Sequence, residues 1–241
     1  MTDIFFEAQK KYYDRHWLRK KLCIDEKCRK DFIISVIKSI NAKPLKILDL
    51  GCGRGWLTEI LSKYGDIIGI DLSVNFAKRT FPHLEFKQAN IILNRIEGNY
   101  DIVVSSEVIE HLTSEHQRIY VKKTYELLNK DGYLILTTPN KLEVEKLINN
   151  SLMKREQLQP IENWLNRNSL LSLLSPYFKI KFIGSVMFYP LYFRKHRLLN
   201  LAYEVFYHRL GGYKLIDFLL SKTKRSDWGL YLVIWGKKKS Q

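Results

Sequence analysis

Three cysteines, Cys23, Cys28 and Cys52, are all that this chain of 241 residues contains. Their spacing fits neither a disulfide framework nor a zinc-binding pattern, so all three read as reduced side chains of a cytoplasmic protein. No apolar run approaches the length that spans a bilayer, and the first residues, MTDIFFEAQKK, lack the charged-then-apolar architecture of a secretory signal. Internal repeats and low-complexity tracts are absent. Acidic residues are scarce, 25 Asp and Glu against 40 Lys and Arg, which leaves a formal charge of +15. That excess is uneven. Residues 1–43 carry eleven Lys/Arg against six Asp/Glu, and residues 186–241 carry eleven against three. The middle of the chain is nearly neutral, so the basic surface belongs to additions around a central domain and points to an acidic partner.

What is present is a run of apolar residues ending in a carboxylate and a glycine turn, Ile47 to Gly55 (ILDLGCGRG). It is answered by Gly69 to Ser73 (GIDLS), whose Asp71 stands twenty residues beyond Gly51. Strand, glycine turn, helix and a second strand ending on an acid is how a parallel α/β sheet holds an adenosine-bearing ligand. A dinucleotide loop needs G-x-G-x-x-G, the third glycine lying where the helix packs on the strand. Here Trp56 occupies that place, and Asp49 sits two residues before Gly51. A carboxylate beside the loop suits a ligand without phosphate that carries positive charge. S-adenosylmethionine (SAM), a sulfonium with an α-amino group, has that chemistry.

Four stretches in order, DLGCGRG, GIDLS, YDIVVSSEVIEHL (Tyr100 to Leu112) and LLNKDGYLILTTPN (Leu127 to Asn140), resemble the motifs of class I SAM-dependent methyltransferases of the small-molecule, ubiquinone-pathway O-methyltransferase type. The resemblance implies a doubly wound, mostly parallel, seven-stranded Rossmann-like α/β sheet whose last strand runs antiparallel. It also implies SAM as cofactor and S-adenosylhomocysteine (SAH) as product. Expected strands begin at Leu45, Ile67, Leu84, Tyr100, Tyr133, Phe178 and Leu230, with helical stretches between most of them. Ser114 and Gln117 are expected to form a capping box, and Asp131-Gly132 to turn the chain. The domain reading is an N-terminal helical lid over 1–43, a SAM-binding core over 44–185, a helical insertion over 186–227, and a last strand with a basic tail over 228–241.

For the cofactor, the expected residues are Gly51, Cys52, Gly53 and Gly55 in the loop, Asp49 for the α-amino group and Asp71 for both ribose hydroxyls. Leu72 and Asn90 are expected at the adenine, with the Asn90 amide oxygen accepting the amino group. Ser106 and Glu107 follow at a strand end that should face the crevice. Tyr12, within the aromatic stretch YYDRHW, is expected to close over the donor as part of the lid. His111 is the candidate general base. Glu107, Glu110 and His111 stand at i, i+3 and i+4, one face of a helical turn, and a similar E-x-x-E-H cluster binds metal in relatives. The bland alternative, a histidine that packs a helix, stands beside it.

Residues 187–224 interleave Tyr, Phe and Leu with Lys, Arg and His, the pattern of two amphipathic helices around Gly211-Gly212. They admit four readings: a substrate cover, a membrane-surface element, a nucleic-acid face and a homodimer contact. The expected activity is methyl transfer to an oxygen of an anionic or amphipathic small molecule by a cytoplasmic protein, peripheral on a membrane under the second reading. An RNA 2′-O-methyltransferase and a SAM-binding regulator without turnover are the alternatives.

Overall fold

The computed structural model describes residues 10, 23–40, 45–153, 159, 161–188, 197–221 and 227–240. The expected aromatic lid helix, with Tyr12, lies outside these residues apart from Lys10. The first described helix, α1, is Ile24–Ser39. Seven strands follow: β1 (Lys46–Leu50), β2 (Asp66–Asp71), β3 (Glu85–Gln88), β4 (Tyr100–Ser106), β5 (Leu128–Pro139), β6 (Phe178–Phe188) and β7 (Gly229–Lys238). Between them run α2 (Trp56–Leu61), α3 (Asn75–Thr80), α4 (Ser114–Leu127), α5 (Lys141–Asn149), α6 (Arg167–Leu174), α7 (Arg197–Glu204) and α8 (Gly212–Ser221).

The strands make one sheet in the order β3-β2-β1-β4-β5-β7-β6. The first five pair in parallel, and β7 is antiparallel to both neighbours, as the resemblance implied. Side chains alternate across the sheet. Leu48, Leu50 and Val103 join Tyr120 and Val121 of α4 and Leu170 and Leu174 of α6 in one core layer. Ile47, Ile102 and Val104 face the other way, onto Ile33, Val36 and Ile37 of α1 and Leu57 and Leu61 of α2. Burial on both faces is why the central strands read as continuous apolar runs. Strand order reverses between β1 and β4, which opens a crevice at the carboxyl ends of β1, β2 and β4.

Two local expectations are corrected. The N-cap of α4 is Thr113, whose side chain accepts from the His116 amide. Gln117 does not close a capping box; its amide nitrogen, Nε2, donates to the carbonyls of Ile109 and Asn163 and pins α4 to the turn before it. Asp131-Gly132 does not precede β5 but lies inside it. Between the pairs Tyr100↔Leu128 and Ile102↔Tyr133 the register shifts, and the surplus residues of β5 bulge outward.

Asn140, buried at the end of β5, fixes the antiparallel strand. Its Nδ2 donates to the carbonyls of Asp227 at 2.7 Å and Gly229 at 3.0 Å. Replacing Asn140 with Leu removes both bonds where no water can substitute, and should cost about 2–4 kcal/mol of stability in urea unfolding. A loss under ~0.5 kcal/mol would contradict this account of how β7 is held.

Candidate active site

The crevice encloses a cavity of about 260 Å³. Asp49, Gly51, Cys52, Gly53, Asp71, Leu72, Asn90, Ser106, Glu107 and His111 all line it. Gly55 does not; it opens α2 in a left-handed conformation, φ +80°. The glycines answer first to the protein. A Cβ on Gly51, φ +84°, would stand 2.1 Å from Val108 Cγ2, and one on Gly55 would stand 2.8 Å from the Phe86 ring. Cys52 is buried beside Val74, Ala77 and Phe86, where burial pushes its thiol well above the ordinary value. It is a packing residue whose backbone carries the loop.

Backbone N–H groups organise the acids. Asp71 accepts from Gly53 N and Ser73 N, both at 2.9 Å, so its two oxygens are held in a fixed plane. Asp49, 1 % exposed, accepts from Thr58 Oγ1 at 2.6 Å. Burial raises Asp71 to about 6 and Asp49 to about 7 despite these bonds. Glu107 follows β4 with φ +60°, a strained conformation for a residue with a Cβ. Its amide donates to the Thr137 carbonyl, and its carboxylate accepts from Thr137 Oγ1 at 3.0 Å. Burial, and then Glu110 nearby, push Glu107 up to about 8 against the opposing pull of Arg29.

Arg29, from α1, escapes a reading built on motifs. Its guanidinium lies 3.1 Å from Asp25, 3.8 Å from Glu107 and 4.4 Å above the Tyr231 ring centre. Burial disfavours its charge, but Glu107, Tyr231 and Asp25 more than offset that and hold it ionised. Its Nε is buried without a hydrogen-bond partner. Glu26, paired with Arg54, reaches the same cavity from α1, as Tyr120 and Gln159 do from elsewhere. The only sequence signal for Arg29 was a cation at a position of the helix that should have faced inward.

Three expectations about side-chain roles change. The Asn90 oxygen accepts from the amides of Ile92 at 2.9 Å and Leu93 at 3.4 Å, which leaves Nδ2 buried and unpartnered. Asn90 therefore offers a ligand a donor, not the acceptor expected for an adenine amino group. Glu107, Glu110 and His111 do not share a helical face either. Glu107 is left-handed, and Ile109–His111 is a tight 3-10 turn. Their hydrogen bonds run to different partners, Glu107 to Thr137, Glu110 to Thr138 Oγ1 at 2.9 Å and His111 Nδ1 to the Ile161 carbonyl at 3.1 Å, while His111 Nε2 stays 3.8 Å from Glu110 Oε1. The described residues contain no group of three side chains placed to hold a metal ion, and this donor set does not fit one. Donation from Nδ1 to a carbonyl assigns the ring proton there and makes Nε2 the basic nitrogen of the neutral ring.

Two buried donors, on Arg29 and Asn90, a carboxylate held in one plane at the end of β2 and further acids thus line a single pocket of an α/β fold. A family model described as a methyltransferase domain matches residues 15–177, and the chain belongs to that family. Ubiquinone biosynthesis O-methyltransferase of Pelagibacter ubique (strain HTCC1062) is 31% identical over 107 residues, 41% of this chain and 44% of that protein. The mitochondrial ubiquinone biosynthesis O-methyltransferase of Mus musculus is 31% identical over 160 residues, 56% of this chain and 42% of that one. The matched region thus spans less than half the length of these curated relatives. Among solved structures, the N-methyltransferase NodS from Bradyrhizobium japonicum WM9, in complex with SAH, shares the fold with a TM-score of 0.65 at 11% identity. That match covers 97% of this chain and 100% of the other.

The raised acids set the pH response of the unliganded protein. Asp49, Asp71, Glu107 and Glu110 bind protons more tightly folded than unfolded, so the stability they contribute is complete below the ordinary carboxylate range. It is lost as pH rises through about 6 for Asp71, 7 for Asp49 and 8 for the two glutamates. Thermal melts should therefore fall steadily between about pH 5.5 and 8.5. A flat or rising profile over that window would contradict the buried, uncompensated carboxylates.

Proposed function

We propose that the chain binds SAM in this cavity and transfers its methyl group to an oxygen of a small, anionic or amphipathic acceptor. The observation that carries the reading is the match between unsatisfied groups of the cavity and the donor's functional groups. Arg29 Nε is a cationic donor for an α-carboxylate, and Asp49 with its neighbours receives an α-amino group and a sulfonium. Asp71 keeps lone pairs on both oxygens for a vicinal diol, and Asn90 Nδ2 is a donor for a ring nitrogen of adenine. The ubiquinone-pathway names of the relatives support a small-molecule acceptor at oxygen.

When bound, the sulfonium supplies an activated methyl group, so the protein's work is to position, to exclude water and to accept a proton. Orientation of the reacting groups is worth up to ~7–11 kcal/mol of barrier. His111 lines the cavity with Nε2 as its basic nitrogen, and accepts the acceptor's proton there. The Ile161 carbonyl holds the ring in that tautomer. Ser106 and the strained Glu107 turn shape the wall opposite the loop.

Asp71→Ala should weaken SAM binding at least about 100-fold, read by calorimetry, because both acceptors for the diol vanish together. Arg29→Leu should cost about 10- to 100-fold, the size of a lost charge-assisted bond. Unchanged affinity in either variant would overturn the assignment. The acceptor class is tested by transfer of radiolabelled methyl from SAM into a lysate separated into solvent-extractable, water-soluble, RNA and protein fractions. Label is expected in the first two and should drop about 100-fold or more with His111→Ala at unchanged SAM affinity. Label confined to RNA would overturn the small-molecule reading, and SAM binding without any label would support a regulator.

A further inference from the structure

The hairpin of α7 and α8 packs onto the sheet through one face alone. Tyr203 and Tyr207 stack at 4.9 Å, Tyr213 leans on Tyr207, and the three join Val186, Leu230 and Val233 in a core of their own. Asp217 turns inward, accepting from the Met187 amide at 3.1 Å, and Tyr213 donates to Asp31 at 2.8 Å. The opposite face holds Leu198, 81 % exposed, Leu201, Leu215 and Leu219, all exposed, and Leu199 and Leu210 are exposed on the same hairpin. Leu198 and Leu201 share one side of α7 by their three-residue spacing, and Leu215 and Leu219 share one side of α8 by their four. A run of exposed leucines on adjoining helices exceeds the scattered apolar residues normal on a surface.

We propose that this outer face of the α7–α8 hairpin docks onto an anionic lipid bilayer. Charge selects that occupant. Residues 189–226 carry eight Lys/Arg against two Asp/Glu, and one of those acids, Asp217, is turned into the core. Leucines for the acyl boundary, flanked in the sequence by cations suited to lipid phosphates, are the composition of an interfacial helix. A second copy of the chain would bring the same positive charge against itself. Nucleic acid would meet the cations, but the exposed apolar side chains of the hairpin include six leucines against two aromatics, Phe206 and Phe218, that could stack bases. No described helix is long and apolar enough to cross a membrane, so the contact is peripheral. The proposal rests on this face and holds whether or not the cavity transfers methyl groups.

The test is sedimentation of the full chain with phosphatidylcholine vesicles, with and without phosphatidylglycerol. Binding should be at least about tenfold tighter to the anionic vesicles, weaken with added salt, and fall at least about tenfold in the double variant Leu198→Glu, Leu201→Glu. The thermal melt of the variant, compared with that of the wild-type chain, reports whether it folds. If it does not, Leu215→Glu with Leu219→Glu asks the same question on α8. Failure of the wild-type chain to bind anionic vesicles at low salt would overturn the proposal, as would undiminished binding by a folded variant. So would a dimer that these substitutions dissociate while vesicle binding persists. SAM affinity measured in parallel separates this outcome from failure of the methyltransferase reading.

Discussion

Asp49, Asp71 and Glu107 line the crevice and Glu110 is buried near Glu107, against the single guanidinium of Arg29 once Arg54 is paired with Glu26, and most features of the site follow from that imbalance. Asp49, Asp71, Glu107 and Glu110 cannot all ionise side by side in a low-dielectric wall without further positive charge. Arg29 supplies part of it from α1, and it stays charged because Glu107 and Asp25 surround it. The remainder has to arrive with a ligand. The donor proposed above carries both signs: its carboxylate would meet Arg29 and its positive centres Asp49, with Asp71 left to the ribose diol. Uncompensated buried acids make the empty site unstable and the filled one stable, which couples binding to folding.

The fold makes this crowding tolerable by holding each acid from a different direction. Asp49 and Asp71 end neighbouring parallel strands, and the turn after β1 brings the Gly53 amide to Asp71. Glu107 is driven into a left-handed conformation by its bonds to Thr137 on β5. Glu110 is fixed to the next residue along, Thr138. β5 therefore anchors two of the four acids, and Asn140 at its end ties it to the antiparallel β7, whose other neighbour, β6, carries the α7–α8 hairpin. Strand pairing far from the cavity thus sets distances inside it.

Much of this was legible in the sequence because strand ends and glycine turns are local. The ILDLGCGRG and GIDLS runs located Asp49 and Asp71, and the continuous apolar strands announced a sheet buried on both faces. What was not legible depends on contacts between distant segments. Arg29 is an ordinary cation in an ordinary helix until α1 lies against Glu107 and Tyr231. The E-x-x-E-H spacing promised a shared helical face, but a left-handed residue and a 3-10 turn split it. Asn90 was read as an acceptor because it stands where the resemblance places an acidic residue, and its Asx turn onto Ile92 and Leu93 left no signal in the spacing. The capping box failed for a similar reason: Gln117 found better partners in carbonyls outside its own helix.

On this reading the cavity accepts a cationic donor by ionising carboxylates whose pKa values burial has raised. Calorimetry of SAM binding near pH 6.5, repeated in two buffers of different ionisation enthalpy, measures the protons exchanged on binding. Net release of protons from the complex is expected, because a bound cation lowers the raised pKa values of Asp49 and its neighbours. Binding heats that are identical in the two buffers, or that show proton uptake, would contradict it.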